Sequence, residues 1–522
     1  MSLHLHSRGL AVRVFLTCWL VFALHFATNT VREIYPAVSL GDRLSFDVSE
    51  YLDLHPDIFE IPGRGAFINN NPGASILGAI PYALLRPVVD GIVARVQRAR
   101  ASSAEPPPDY DTIYPMAREF HRKAYQRGLD VKFGLSAGVL QAFLMAPLSA
   151  LSVVVMFRIL LALTSSIRAA VLLALLYAFA TPVFFRTGQL NQNLLVGHFA
   201  LFAFALLWRP WDHPFHPKRP SFLLAGLLSG WAVVLDYSGL VVLLFVGLYS
   251  VVRRAALPQD VKSRTDMLRF ASGALLSLTV LMGYQWRSFG NPFYPAQFYM
   301  PAATFTHLGY RGMGWPHLDL LWQTAFDMRF GLFISAPLLL LALYVPAWLH
   351  GRARLPGGRE TGWILLFSLA FFLFTAANQY SRMQFNSGVR HVVPVIPFLF
   401  LVAAGVLVRM PTALSLIVGI LTTYWSWSLA MYRDVEQGLG VFESIIHVTL
   451  EGFRLPWLMT LEHMGYVSNG ASPLPLFLLA GAILWTLWNA RLPLRRTPGP
   501  AVPRVMDCCD AHFGQRKEDS AS

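Results

Sequence analysis

The sequence predicts an all-α polytopic integral membrane protein with about 12 transmembrane helices. Two features of the composition lead to this fold class. Of the 522 residues, 55% are hydrophobic and only 14% are charged, with a mean hydropathy of +0.48. Soluble domains carry roughly 25% charged residues, so a chain this apolar needs lipid around much of its surface. The three cysteines, Cys18 with the adjacent Cys508 and Cys509, offer no spaced disulfide or zinc framework.

Apolar stretches that could cross a bilayer recur along the chain, because a helix needs about 20 mostly apolar residues for the crossing. We place spans near residues 11–28, 136–163, 169–185, 194–208, 221–236, 238–252, 270–286, 331–349, 361–377, 392–409, 411–431 and 472–490. The first stretch follows His4, His6 and Arg8 and lacks a clear small-residue cleavage site. We therefore interpret it as an uncleaved signal anchor.

Basic residues indicate how the spans are oriented, since cytoplasmic loops carry an excess of Lys and Arg. Alternate connections are basic here: they hold Arg209, Lys218 and Arg219; Arg253, Arg254, Lys262 and Arg264; Arg352, Arg354 and Arg359; and Arg491, Arg495 and Arg496. Both termini are thus predicted to be cytoplasmic. The long connections near 31–135, 287–330, 378–391 and 432–471 are then extracytoplasmic. The net charge of +13 follows from this topology and does not indicate binding of nucleic acid.

The chain divides into a membrane domain, residues 1–496, and a disordered cytoplasmic tail, residues 497–522, which has no apolar period. The first outer loop, about 31–135, is predicted to contain interfacial helices. Residues 71–96 are interrupted by three prolines, and we interpret them as a helix pair in the outer interface. A linker begins at 104–108, and 111–132 is predicted to form an amphipathic surface helix.

The start of this loop is rich in carboxylates, seven of them in under 30 residues: Glu33, Asp42, Asp47, Glu50, Asp53, Asp57 and Glu60. Asp57 stands out because it precedes an apolar Ile-Phe pair, and Glu33 because it lies where the first helix leaves the membrane. Either carboxylate could act as a general base or bind a metal. The alternative is a solvated loop with ordinary turn and cap residues.

Polar residues elsewhere on the outer face suggest an anion site. Asn70 lies in an Asn-Asn-Pro-Gly helix start, which is an ordinary cap pattern but also leaves N–H groups for phosphate. Arg382, Arg390 and His391 precede an apolar span, although positive residues are depleted in short outer loops. A guanidinium binds phosphate through paired donors. Alternatively, these arginines snorkel or pair with loop carboxylates.

Several other signals are weak. Asp109-Tyr110-Asp111 matches a metal-binding Asp-x-Asp pattern but has no Rossmann-like unit around it, and Asp236 is either an interface residue or a site residue. The sequence contains no P-loop, GxSxG or HExxH motif. ATP-driven transport, serine hydrolysis and zinc proteolysis therefore lose support.

The order of these features resembles the GT-C membrane glycosyltransferases, which include protein mannosyltransferases of the glycosyltransferase family 39 type and aminoarabinose transferases. The resemblance covers roughly residues 10–410 and runs through NNNPGASILGAIPYALL, ALLYAFATPVFFRTGQLNQN, SFGNPFYPAQFY, RFGLFISAPLLLLAL and SGVRHVVPVIPFLFLVAAG. It implies a GT-C-like fold and transfer of a sugar from a polyprenyl-phosphate donor to a glycan, lipid or protein acceptor on the outer face. No nucleotide cofactor is expected, and any need for a divalent metal stays open.

By position, the resemblance implies that Asp57 or Glu33 is the base and that Arg390, Arg382 and Asn70 bind the donor phosphate. His55, Asn191, Asn193 and His391 are the further candidates for substrate binding. Two departures matter: Asn70 stands where relatives often have Lys, and Gln189, Asn191, Gln192 and Asn193 stand where relatives often have an acid. The compact loops and the lack of a retention signal favour a bacterial inner membrane. A transporter or lipid-glycan flippase and a non-catalytic scaffold remain the alternatives.

Overall fold

The computed structural model describes residues 2–490 apart from 29, 103–108, 113–114, 213–217, 303–304, 347–354, 384–387, 433–439 and 469. The predicted tail at 497–522 and the linker at 104–108 lie outside the described residues. The helices are α1 (Ser2–Leu24), α2 (Ile34–Arg43), α3 (Gly73–Ala101), α4 (Pro115–Gln126), α5 (Asp130–Thr164), α6 (Ile167–Phe179), α7 (Val183–Thr187), α8 (Gln192–Trp208), α9 (Phe222–Leu235), α10 (Gly239–Ala255), α11 (Asp266–Phe289), α12 (Leu318–Phe326), α13 (Leu332–Ser335), α14 (Gly358–Ala377), α15 (Ile396–Leu407), α16 (Thr412–Met431), α17 (Val441–Glu451), α18 (Pro456–His463) and α19 (Leu474–Asn489). The fold is therefore helical, as predicted.

Apolar helices dominate the architecture in the way expected of an integral membrane protein. Among the described helices, α3, α5, α11, α14 and α16 are long and apolar enough to cross a membrane. Shorter apolar helices lie at Gly9–Leu24, Ile167–Phe179, Gln192–Trp208, Phe222–Leu235, Val393–Leu407 and Leu474–Asn489. The number of spans, the predicted twelve, stays a prediction.

The structure corrects three of the predicted elements. Residues 73–96 of the predicted helix pair 71–96 lie in the single helix α3, because Pro81 and Pro87 are accommodated inside it without breaking it in two. The predicted span 331–349 is interrupted: α13 ends before Pro337, and a 3₁₀ segment, Pro337–Leu343, follows. A proline has no N–H to donate and restricts the residue before it, which ends the α-helix there. The predicted span 169–185 is divided in the same way between α6 and α7, at Thr181 and Pro182.

The first outer loop is partly sheet, which the sequence analysis missed. Strands β1 (Ile58–Ile61) and β2 (Gly65–Ile68) pair antiparallel, with Ile58 opposite Ile68. The carboxylate of Asp47 accepts hydrogen bonds from the Ser49 amide at 2.9 Å and the Ala66 amide at 3.0 Å, which ties the hairpin to the preceding turn. Because of the register, the residue before β1 and the residue after β2 lie side by side.

The predicted surface helix 111–132 is also shorter than expected. Its described helical part is α4, and Gly128 with a φ of +67° ends the segment before α5 begins at Asp130. Glycine adopts this left-handed conformation without steric cost, so the chain turns sharply at that point. The long helix α5 then carries one π turn at Gln141–Met145.

Helices α9 and α11 pack closely near their N-terminal ends. A Cβ at Gly226 of α9 would lie 2.0 Å from the Phe270 carbonyl oxygen, and a Cβ at Gly273 of α11 would lie 2.1 Å from the Leu223 carbonyl oxygen. Small residues let two helix backbones approach this closely, a common device in membrane helix pairs. Asp236 follows the last helical residue at the opposite end of α9.

Candidate functional site

Arg32 is the centre of a charged cluster at the start of the first outer loop. Its Nη1 atom donates to Asp57 Oδ2 at 2.6 Å and to Asn69 Oδ1 at 3.1 Å, and its Nε atom lies 3.4 Å from Glu33 Oε1. Glu33 occupies the position before the first residue of α2. Asp57 and Asn69 flank the two strands of the hairpin, so the β-register brings them to the same guanidinium.

Asp57 is held as a carboxylate. Burial opposes its ionisation, but the charges of Arg32 and Arg390, the neighbouring His55 and the Arg32 hydrogen bond hold its pKa below the ordinary value of 3.8. Asn69 Nδ2 also donates to Asp57 Oδ1 at 3.3 Å. The side chain of Asp57 is 30% exposed, so a bound molecule can reach it.

His55 lies beside Asp57 as a neutral imidazole at neutral pH. Burial lowers its pKa to about 4, and the charges of Arg32 and Arg390 lower it further while Asp57 opposes the shift. The Asp57 backbone amide donates to His55 Nδ1 at 3.1 Å, so this nitrogen is the acceptor and Nε2 carries the proton. His55 is therefore placed next to the carboxylate that the sequence analysis singled out.

A chain of hydrogen bonds connects Glu33 with Asp236. Glu33 is buried and accepts a hydrogen bond from Asn70 Nδ2. The same amide group donates to Gln192 Oε1 at 2.7 Å, and Gln192 Nε2 donates to Asp236 Oδ2 at 2.9 Å. Asn70 thus acts as a link between polar groups of the first loop and α8, and its amide is already occupied. The network assigns Asp236 to the site.

Arg390 is linked to this cluster by electrostatic interactions with Arg32, Glu33, Asp57 and Asp236. Burial and the charge of Arg32 lower its pKa to about 10, while Glu33, Asp57 and Asp236 act in the opposite direction. Arg390 therefore stays protonated at neutral pH. Within the part of the chain that the structure describes, its guanidinium forms no ion pair. A cation that three carboxylates influence, and that none of them neutralises by direct contact, is suited to hold an anion.

Arg382 is placed differently from Arg390. Its Nη1 atom forms an ion pair with Asp319 Oδ2 at 2.6 Å, and its Nε atom donates to Gln379 Oε1 at 3.1 Å. Asp319 lies on α12, and no contact joins Arg382 to the described residues of the Glu33 and Asp57 cluster. Arg382 therefore pairs with a carboxylate, as the alternative to phosphate binding predicted.

Three predicted substrate-binding residues remain: Asn191, Asn193 and His391. Asn191 caps α8, because its Oδ1 atom accepts from the Leu194 amide at 3.0 Å. Asn193 is buried in the first turn of the same helix, next to Gln192. His391 follows Arg390, and its Nε2 atom is buried without a hydrogen-bond partner among the described residues. Among the described residues, no hydrogen bond occupies the side chain of Asn193 or the Nε2 atom of His391, so both leave polar capacity for a ligand.

No metal centre emerges from the described residues, which contain no cluster of three or more His, Cys, Asp or Glu side chains able to hold an ion. The acids of Asp109-Tyr110-Asp111 are not part of the cluster: the Asp111 amide donates to the His463 carbonyl oxygen at 3.0 Å. The arrangement offers charged hydrogen-bonding groups from four parts of the chain instead.

Arg32, which contacts both Glu33 and Asp57, was not among the predicted site residues. A signal was present: Arg32 lies directly beside Glu33 in a loop predicted to be extracytoplasmic, and positive residues are depleted in such loops, as noted for Arg390. Gln192 was predicted only as a residue that could hydrogen-bond a sugar, and Asp236 was left open between an interface residue and a site residue. Their connection is visible only once α8 and α9 pack against the first loop.

No protein-family model matches the chain, and no curated protein matches it. The search of solved structures finds the crystal structure of ArnT from Cupriavidus metallidurans in the apo state. The chain is similar in fold to ArnT. The match has 16% sequence identity and a TM-score of 0.45, and it covers 92% of this chain and 72% of the ArnT chain.

At this identity the similarity concerns the fold alone. The chemistry of the site follows from its own residues.

Proposed function

We propose that this protein is a glycosyltransferase that moves a sugar from a polyprenyl-phosphate donor to an acceptor on the extracytoplasmic face. The observation that supports this best is the Arg390 guanidinium, which forms no ion pair among the described residues and faces a cluster with the carboxylates Glu33, Asp57 and Asp236. The reaction needs a cation for the leaving phosphate and a carboxylate for the acceptor proton, and both are present within one cluster.

Asp57 is the better candidate for the base. Its side chain is 30% exposed, whereas that of Glu33 is 7% exposed and hydrogen-bonded to Asn70. Its lowered pKa keeps Asp57 ionised and ready to accept a proton throughout the neutral range. A base this weak suits an acidic acceptor group, or one whose proton leaves late in the reaction.

The reaction proceeds by one displacement at the anomeric carbon. The acceptor oxygen forms the new glycosidic bond and gives its proton to Asp57, while the bond from the anomeric carbon to the phosphate oxygen breaks. The leaving phosphate keeps the electron pair, and Arg390 stabilises the charge. Because one displacement occurs without a covalent intermediate, the configuration at the anomeric carbon inverts. In this proposal Asn193 and His391 hydrogen-bond the sugar.

The test is binding of a panel of polyprenyl-phosphate sugars to the purified protein in detergent. We expect Arg390→Ala to weaken binding by about tenfold or more, as expected for loss of a charge-assisted hydrogen bond. Asp57→Asn should retain binding and lose transfer to any acceptor that the wild type uses. Arg382→Ala is the matched control, because it removes an outer-face arginine that already pairs with Asp319.

Equal weakening by Arg382→Ala and Arg390→Ala would contradict the assignment of the phosphate to Arg390. Failure of the wild type to bind any carrier would overturn the proposed function and favour the transporter or scaffold alternatives.

A further inference from the structure

The segment that carries Arg390 has an unusual backbone. Gly388 has a φ of +80°, and a Cβ at this position would lie 2.8 Å from the Phe185 ring. The Gly388 amide donates to the Arg329 carbonyl oxygen at 2.6 Å, and the Val389 amide donates to Ser335 Oγ at 2.9 Å. Both N–H groups before Arg390 are therefore anchored to the segment around α13.

The carbonyl groups of the same two residues are anchored by one side chain, that of Arg186. Its Nε atom donates to the Val389 carbonyl oxygen and its Nη2 atom donates to the Gly388 carbonyl oxygen. Arg186 is fully buried. A buried guanidinium is costly unless it is well hydrogen-bonded, so these bonds are important for keeping it in place.

Arg186 is itself rigidly mounted on α7. The Thr181 carbonyl oxygen, just before α7, accepts a hydrogen bond from Ser426 Oγ of α16 at 2.9 Å. At the other end of α7, Thr187 Oγ1 donates to Ser149 Oγ of α5 at 2.7 Å. Two long helices thus fix the short helix, and the short helix fixes the backbone next to Arg390.

The charge of Arg186 also reaches the site. Burial lowers the pKa of His391 to about 3, and the charges of Arg390, Arg32 and Arg186 contribute to the shift. Arg186 therefore adds to the positive potential where a phosphate would be held.

We infer that Arg186 is a positioning residue, which fixes the backbone at Gly388 and Val389 and thereby aims the Arg390 guanidinium at the carboxylate cluster. The effect of Arg186 on donor binding rests on the proposed function. Its effect on the backbone at Gly388 and Val389 does not. The inference extends the site to a residue of α7 that touches neither Glu33 nor Asp57 in the described part of the chain.

The first measurement is hydrogen exchange of the backbone amides in residues 388–392, with the protein in detergent. Arg186→Met should raise the exchange rate of these amides about tenfold or more while leaving the amides of β1 and β2 unchanged. Arg122→Met, which removes an exposed arginine of α4, serves as the control and should change neither region. Unchanged exchange at 388–392 in Arg186→Met would overturn the inference whether or not the protein binds a lipid carrier.

The second measurement is a double-mutant cycle on binding of the polyprenyl-phosphate sugar. If Arg186 acts through Arg390, then Arg186→Met weakens binding by about tenfold in the wild-type background and has little further effect once Arg390→Ala is present. Equal effects in the two backgrounds would show that Arg186 acts independently of Arg390. If the wild type binds no carrier, the proposed function fails and the exchange result alone decides the inference.

Arg186→Lys covers the case in which Arg186→Met does not fold. An ammonium group keeps the charge but lacks the planar fork that reaches two carbonyl groups at once. We expect the amides of residues 388–392 to exchange faster in Arg186→Lys than in the wild type, but more slowly than in a segment that has lost all its hydrogen bonds to residue 186. Ser335→Ala, which removes the acceptor for the Val389 amide, should raise exchange of that segment by a separate route. Wild-type exchange in both variants would contradict the inference.

Discussion

Replacing Arg32 by methionine should destabilise the protein more than loss of an ordinary surface arginine. The variant removes the hydrogen bonds to Asp57 at 2.6 Å and to Asn69 at 3.1 Å. It also removes the positive charge that lies next to Glu33. The side chains of Arg32 and Asp57 are 18% and 30% exposed. Exposed ion pairs contribute up to about 1 kcal/mol, and breaking a buried pair costs about 3–5 kcal/mol. We expect Arg32→Met to lower the free energy of unfolding by about 2–3 kcal/mol.

The pH dependence of this loss has a defined sign. Because the pKa of Asp57 is lowered in the folded protein, its ionised form stabilises the fold above the ordinary carboxyl pKa of 3.8. That contribution is lost as the pH falls through the lowered folded pKa. The difference in stability between the wild type and Arg32→Met should therefore be full at pH 7 and shrink towards pH 3.

The assay is unfolding of the purified protein in detergent, followed by tryptophan fluorescence at pH 7 and at lower pH. Arg122→Met is the matched control, since Arg122 pairs with Glu119 on an exposed face of α4. A loss of stability in Arg32→Met no larger than in Arg122→Met would refute the reasoning, as would a difference that stays constant down to pH 3.

Two further predictions concern groups next to Arg32. Burial holds the pKa of His55 near 4 instead of 6.5, so the unfolded chain takes up a proton first and stability falls as the pH drops from 6.5 to 4. His55→Gln should reduce this loss of stability by at most about 3 kcal/mol. If unfolding curves at pH 7 and pH 4.5 show the same loss in His55→Gln as in the wild type, this role of His55 is wrong. Asn70→Ala removes a donor from the buried Glu33 carboxylate and should cost about 2 kcal/mol of stability. Asn291→Ala in a loop turn is its control, and equal losses for the two alanine variants would contradict the role of Asn70.

Much of the helical framework could be predicted from hydropathy. The predicted stretch 194–208 corresponds to α8, which begins at Gln192 and ends at Trp208. The errors occur where prolines interrupt an apolar run. Pro81 and Pro87 did not divide α3, whereas Pro337 ended α13. Hydropathy alone cannot separate these outcomes, because the effect of a proline depends on whether neighbouring groups satisfy the carbonyl that it leaves unpaired.

The β-hairpin could not be inferred from helix-length hydropathy, since its strands have four residues each. It nevertheless decides the local geometry, because the register sets Asp57 beside Asn69 and both against Arg32. Charge-depletion reasoning singled out Arg390 and Arg382 together. Only the tertiary structure distinguishes them, since Arg382 has Asp319 within 2.6 Å and Arg390 has no such partner among the described residues.

By itself, the sequence determined that this is a helical membrane protein with polar residues gathered in its connections. Composition and the length of apolar runs are local properties of the chain. Because placing a charge in lipid is costly, charged residues are rare in spans, so apolar runs identify the spans from the sequence alone. The tertiary structure decided which polar residues meet: Glu33 with Asn70, Gln192 with Asp236, and Arg186 with the backbone before Arg390. Hydrogen bonds between distant segments depend on how helices and loops pack, and no spacing within one segment encodes them.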